Sequence, residues 1–329
     1  MPLFLYVVSH AGHEASRLSY VKILFAGTPD VAVPSLLRLI EDGHDVAAVL
    51  TRPPARAGRQ HRLVSSPIHQ VAEERGIEVI TPHSLREDEI QRRIASYEAE
   101  AIAVVAYGLL VPPALLDVPR HGWINLHFSL LPAWRGAAPV QYALAAGDDI
   151  TGASTFRIEK GLDTGPVFGQ MTEPIGARDT SGELLERLSY SGAELLSRTF
   201  ALLESGQAYA TPQAGDVSVA PTISVADARV DWSLPAIAID RRIRAHTPAP
   251  GAWTEYEGVR VKLGPVLPVD TDSVLHPGEI SAGKKVLVGT GSNPVELTWV
   301  APAGKKQMNA ADWARGARLN EGAMFGGQA

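Results

Sequence analysis

Asn125 and His127 interrupt an otherwise apolar run, Trp123-Ile-Asn-Leu-His127. The run predicts a buried strand, because Trp123, Ile124 and Leu126 are apolar and Ile124 is β-branched. Residues two apart in a strand point to one face. An amide and an imidazole therefore share one side of the strand, where each is costly unless a partner satisfies it. In Ser129-Leu-Leu-Pro132, Pro132 must lie beyond the strand, since it has no N–H for a central ladder. The two polar groups thus fall at the strand's carboxyl end, where open α/β sheets hold their ligands. A third candidate, Asp163, sits in the glycine-bounded loop Glu159-Lys-Gly-Leu-Asp-Thr-Gly165. An Asp at such a place can also simply turn the chain.

The flanking sequence predicts the frame that holds these groups. Lys22–Gly27 reads as a buried parallel strand, Val33–Ile40 as a helix closed by Gly43, and Asp45–Thr51 as a second strand. Helices follow at Pro67–Arg75 and Glu87–Tyr97, with a short strand at Glu78–Ile80 between them. Ala101–Ala106 reads as a central strand ending in Tyr107-Gly108. Gly136 and Pro139 open a helix running to about Gly147, Thr151–Ile158 is a further strand, and Ser181–Leu203 a long amphipathic helix with Ser181 at its N-cap. Alternating strands and helices predict a Rossmann-like open α/β sheet. Gly-Thr-Pro-Asp30 lacks the second and third glycines of a dinucleotide fingerprint, which argues against a nicotinamide or flavin dehydrogenase.

The texture changes in the second part of the chain. Residues 207–225 are low in charge, contain Pro212 and Pro221, and read as a linker. From 226 to 329 there are 12 basic and 11 acidic residues, against 18 and 25 before it. Short strand-like pieces at Trp253–Tyr256, Val259–Leu263, Val286–Val288 and Val295–Trp299 are separated by glycine and proline turns, which predicts a small β-barrel. Residues 1–20 are expected to be an upstream extension. Leu3–Val8 is apolar but short, and no basic residue precedes it as a signal peptide requires.

Composition sets outer limits. With 329 residues the chain suits about two domains, and 45% hydrophobic residues fit a globular fold. There are no cysteines, so disulfides and thiolate metal sites are excluded. The ten histidines show no ligand spacing, so no catalytic metal is expected. No apolar run reaches the ~18 residues of a membrane span. The net charge of −6 says little about RNA, because binding depends on local patches.

Three motifs in order, Asn125-x-His127, Ser129-Leu-Leu-Pro132 and Leu162-Asp163-Thr164-Gly165, resemble the signature of the 10-formyltetrahydrofolate-dependent formyltransferases. The longer string from Ser129 through Arg135-Gly-Ala-Ala-Pro139 to Gln141 resembles the branch that formylates methionine on initiator tRNA. The likeness runs from about Val21 to the C-terminus. It implies formyl transfer from 10-formyltetrahydrofolate to the methionyl amino group, by a cytoplasmic monomer with no membrane partner. Asn125, His127 and Asp163 are then the catalytic trio. Asn125 would donate to the developing oxyanion, with His127 as a second donor or a charged group, and Asp163 would orient His127 and accept the amine proton. The segment Val105, Tyr107, Gly108 and Leu109 and the segment Ser129, Leu130, Leu131 and Pro132 would wall the folate pocket. The same resemblance implies an OB-like C-terminal domain. The extra ~100 residues argue against the glycinamide ribonucleotide branch, and the intact trio against a silent RNA-binding module.

The basic residues are the candidate tRNA contacts. Arg52, Arg56, Arg59 and Arg62 fall within eleven residues, in a stretch broken by Pro53, Pro54 and Gly58 and read as a mobile loop. A solvated loop and an arm gripping phosphates both fit such a run. The resemblance implies the arm, with Arg59 at the family's loop arginine. Further on, Arg241, Arg242, Arg244, Lys284, Lys285, Lys305 and Lys306 lean toward RNA backbone contact.

Overall fold

The computed structural model describes residues 21–57, 62–271, 275–320 and 322–326. The N-terminal extension expected at 1–20, and Arg59, lie outside them.

The first domain is built on a seven-stranded sheet. Its strands are β1 (Lys22–Gly27), β2 (Asp45–Leu50), β5 (Glu78–Ile80), β6 (Ala101–Val105), β7 (Trp123–His127), β8 (Ile150–Arg157) and β9 (Val167–Pro174), while β3 (Ala55–Ala57) and β4 (Arg62–Val64) form a separate hairpin. The helices are α1 (Val33–Glu41), α2 (Pro67–Glu74), α3 (Asp88–Ser96), α4 (Pro113–Leu116), α5 (Pro139–Ala146) and α6 (Ser181–Glu204). The sheet order is β5-β2-β1-β6-β7-β8-β9; neighbours pair parallel through β7, and β8 and β9 add antiparallel. The chain first builds outward from β1 through β2 to β5, then restarts at β6 on the other side. The switch between β1 and β6 opens the crevice that such sheets use for ligands.

Both faces of the sheet are covered, so β1 does not alternate: Ile23, Leu24, Phe25 and Ala26 are all fully buried. Ile23 and Phe25 join Leu36, Leu188 and Phe200 of α1 and α6 on one side, while Leu24 and Ala26 join Ile94 and Leu115 of α3 and α4 on the other. In β7, Ile124 and Leu126 enter the first core and Trp123 the second. Asn125 and His127 therefore share the Trp123 side.

Several sequence expectations are corrected. The N-cap of α6 is Thr180, not Ser181: Thr180 Oγ1 accepts from Glu183 N–H and the Glu183 carboxylate reaches back to Thr180 N–H, a full capping box. The basic stretch after β2 is not wholly irregular, because Ala55–Ala57 pairs antiparallel with Arg62–Val64. Within the linker expected at 207–225, Thr211 bridges Val167 of β9, and Val219 bridges Arg135.

The second domain is β-rich. It opens with α7 (Ala236–Ala245), continues through β10 (Trp253–Tyr256), β11 (Val259–Leu263), β12 (Leu267–Pro268), β13 (Ile280–Ala282), β14 (Val286–Val288), β15 (Val295–Glu296), β16 (Trp299–Pro302) and β17 (Met308–Asn309), and ends with α8 (Ala310–Ala317). Two four-stranded sheets, β10-β11-β16-β17 and β12-β15-β14-β13, close over one core. There the Phe325 ring stacks at 5.6 Å on both Trp232 and Trp313.

A buried carboxylate ties the domains together. Asp240 accepts from Arg178 Nη1 on one oxygen and from Arg244 Nε on the other, both at 2.9 Å. Arg244 also donates to the Asp179 carbonyl, and Arg178 to the Val266 carbonyl. This overturns Arg244 as an RNA contact: its side chain is 7% exposed and spent on the domain interface. Removing Asp240 would strand that buried charge, at a cost of about 3–5 kcal/mol.

Candidate active site

His127 closes β7 with its ring buried edge-on against Phe156. Its Nε2 lies 2.9 Å from the Trp134 carbonyl. A carbonyl only accepts, so Nε2 carries the proton and Nδ1 is left as the acceptor in the neutral ring. Nδ1 stands 3.7 Å from Asp163 Oδ2. Burial pushes the His127 pKa below the ordinary histidine value, against the opposing pull of the Asp163 charge and the Trp134 carbonyl. This favours the neutral ring, whose Nδ1 can take a proton.

Asp163 adopts a backbone φ of 49°, which a non-glycine residue holds only under restraint. Two restraints are glycines. Gly136 N–H donates to Asp163 Oδ2 at 2.8 Å, fixing the carboxylate's rotamer. Gly136 itself has φ 123°, and a Cβ there would stand 2.6 Å from the Ala220 carbonyl oxygen. At Gly165 a Cβ would stand 1.7 Å from the Arg157 carbonyl oxygen, so no other residue fits the loop's return to the sheet. The other oxygen of Asp163, Oδ1, and the half-buried Asn125 amide have no hydrogen-bond partner among the described residues. They are available to a ligand.

The trio is thus brought together, but several expected pocket residues are not offered as expected. Ser129 is fully buried and its hydroxyl donates to the Ala133 carbonyl, so it shapes the loop rather than presenting a polar group. Tyr107 is 2% exposed, with its ring in the second core and its hydroxyl unpaired among the described residues; burial raises its pKa. Val105, Leu131 and Pro132 are also buried. Gly108, Leu109 and Leu130 keep accessible surface.

The basic candidates separate similarly. Arg56 and Arg62 are exposed on the hairpin and Arg52 is half-buried at its base, which follows the carboxyl end of β2 on the site's edge of the sheet. Arg242, Lys305 and Lys306 are exposed, while Arg241 lies half-buried with its guanidinium against Gly147.

Sequence reasoning missed the residues that hold the loops. Ser154 Oγ donates to the Ser129 carbonyl at 2.6 Å and accepts from Leu131 N–H at 3.0 Å, and Gln170 Nε2 donates to the Leu131 carbonyl at 2.9 Å. These contacts span 23 to 39 residues, and no local pattern announces them. Among the described residues no group of His, Asp and Glu is arranged to hold a metal ion.

Residues 21–200 match the formyl transferase family and residues 222–318 match formyl transferase, C-terminal domain. The chain is a member of the formyl transferase family. Its relatives carry one particular name. The methionyl-tRNA formyltransferase of Arthrobacter sp. (strain FB24) is 60% identical over 307 residues, covering 93% of this chain and all of that protein. That of Streptomyces coelicolor is 57% identical over 309 residues with the same coverage of this chain and all of its own. Among solved structures, HypX from Aquifex aeolicus in complex with tetrahydrofolic acid shares the fold, with a TM-score of 0.63 at 18% identity, covering 90% of this chain and 47% of that one.

Proposed function

We propose that this protein transfers the formyl group of 10-formyltetrahydrofolate to the amino group of methionine on initiator methionyl-tRNA. The observation that carries the reading is the Asn125 amide, without a hydrogen-bond partner among the described residues, on the same face of β7 as His127 of the 3.7 Å His127–Asp163 pair. The names of the full-length relatives, and the tetrahydrofolic acid of the Aquifex aeolicus complex, support the choice of substrates.

The folate, when bound, supplies an electrophilic formyl carbon on a departing nitrogen. The protein's residues do the rest. As the amine attacks, negative charge grows on the formyl oxygen, and Asn125 Nδ2 donates to it. The new C–N bond leaves an excess proton on the amine. His127 Nδ1, unprotonated at rest, takes this proton directly or through water, and the Asp163 carboxylate stabilises the imidazolium so formed. Nδ1 can then return the proton to the departing nitrogen as its bond to carbon breaks.

The exposed arginines of the β3–β4 hairpin, Arg56 and Arg62, suit the phosphates of an RNA acceptor end, as Arg59 between them in the sequence does by its charge, and Arg242, Lys305 and Lys306 suit contacts farther along it. The deciding experiment offers 10-formyltetrahydrofolate with either methionyl-tRNA or glycinamide ribonucleotide and scores which acceptor gains a formyl group. Formylation of the ribonucleotide alone, or of neither, would overturn the reading.

A further inference from the structure

The segment between the domains carries no reacting group, yet it is bonded to the backbone on both sides of the site. Trp134 N–H donates to Ser218 Oγ at 2.8 Å, and Arg135 N–H to the Ser218 carbonyl at 2.9 Å. Ala220 N–H donates to the Arg135 carbonyl at 2.7 Å. These peptide units are the ones that set the catalytic pair: the Trp134 carbonyl fixes the His127 tautomer, and Gly136 N–H fixes the Asp163 carboxylate.

Gln213 completes the arrangement from the same segment. Its Nε2 donates to the carbonyls of Asp163 and Gly165, at 2.7 and 2.9 Å. Its Oε1 accepts from Arg135 Nη2 and Nε, at 2.6 and 3.1 Å. One amide thus spans the two loops that must face each other. Both of its donor hydrogens are used, on either side of Thr164, in a loop whose Asp163 sits in the left-handed region. A glutamine is suited to this because it donates and accepts at one end of a side chain.

We infer that Gln213 is a positioning residue for the reaction, locking the Asp163 loop to the 134–136 peptide units so that the carboxylate stays opposed to His127 Nδ1. The inference rests on the reaction proposed above, and its tests separate the two. Gln213→Glu keeps the size and the pairing with Arg135 but cannot donate to either carbonyl. Gln213→Leu removes donors and acceptor together. Each is assayed for kcat and both KM values against wild type, alone and combined with Asp163→Asn. The expected result is a kcat lower by roughly 10- to 100-fold, the scale of a misplacement of about 1 Å, with KM values little changed. Combined with Asp163→Asn, the further loss should nearly vanish, because Gln213 acts through Asp163. A purely structural role predicts equal loss in both backgrounds, and that result would overturn the inference, as would wild-type kcat in Gln213→Glu.

A second measurement needs no turnover. By NMR titration of the imidazole, His127 in Gln213→Leu should titrate lower than in wild type, because the carboxylate that raises its pKa is no longer held opposite. An unchanged titration would count against Gln213 even if the wild-type chain formylated neither acceptor, the outcome that instead refutes the proposed reaction.

Discussion

Replacing Asp163 by Asn isolates the charge from the shape. The amide is nearly isosteric, and its oxygen can still accept from Gly136 N–H, so the loop and the pocket should survive. What disappears is the negative charge 3.7 Å from His127 Nδ1. At that distance a carboxylate stabilises an imidazolium by about 1 kcal/mol if the surroundings screen like water, and by about 4 kcal/mol at an effective dielectric of 20. The side chain of Asp163 is 17% exposed and that of His127 6%, which favours the upper part of this interval. Converted at about 1.4 kcal/mol per tenfold, kcat should fall between roughly 5-fold and 10³-fold. The KM for the formyl donor should hardly move. The assay is steady-state formylation of methionyl-tRNA with each substrate varied, alongside thermal unfolding to verify that the fold is intact. A kcat within a factor of two of wild type would refute the role of the charge. A rise in KM at constant kcat would move Asp163 from proton transfer to binding.

Asn125→Ala should lower kcat by roughly 10²–10³-fold with an unaltered melting temperature, since its amide has no hydrogen-bond partner among the described residues to lose; near-normal turnover would remove it from the mechanism. Neutralising Arg56, Arg59 and Arg62 should weaken tRNA use and flatten the salt dependence of tRNA binding by a slope of roughly 0.7–0.9 per lost phosphate contact, leaving folate binding intact. Unchanged tRNA kinetics at low and high salt would return the hairpin to plain solvated surface. Stability should fall as pH drops below about 6.5, the ordinary histidine value, because burial lowers the folded pKa of His44, His127 and His246. In that window the unfolded chain binds protons that the folded chain declines, at up to about 1.4 kcal/mol per pH unit for each group. Denaturant midpoints at pH 7.5 and 5.5 measure this, and a His44→Gln, His246→Gln double variant with an unchanged pH slope would disprove the assignment.

The central strands were legible because apolar side chains fill both faces, as in Ile23 to Ala26 and Ala101 to Val105, and the runs are short, flanked by glycine and rich in β-branched residues. β9 was not, because Val-Phe-Gly-Gln-Met-Thr-Glu-Pro mixes glycine with exposed polar residues at the sheet's edge. α7 escaped notice for a related reason. Its Asp240 and Arg244 look like surface residues, and only the bonds of Asp240 to Arg178 and of Arg244 to the Asp179 carbonyl, across the domain interface, explain their burial. The trio was found through the order of short motifs rather than through any physical signal in Asn125 or Asp163 alone. Ser129 and Tyr107 were assigned to the pocket through the family resemblance, which does not tell how deeply each side chain is buried. Gln213 left no trace in the sequence, since its partners lie 48 to 78 residues away.

The route of the chain between the domains also bears on where the polypeptide can be divided. The two family matches stop at residue 200 and resume at 222. A cut placed in that gap by sequence alone, for instance after residue 206, would take Gln213, Ser218 and Ala220 away from Trp134, Arg135 and Asp163. The freed half would retain every reacting group and yet lose the contacts that hold two of them in register. A separately produced catalytic half needs the chain through Ala220, and activity lost in a shorter fragment would report the missing strap rather than the missing second domain.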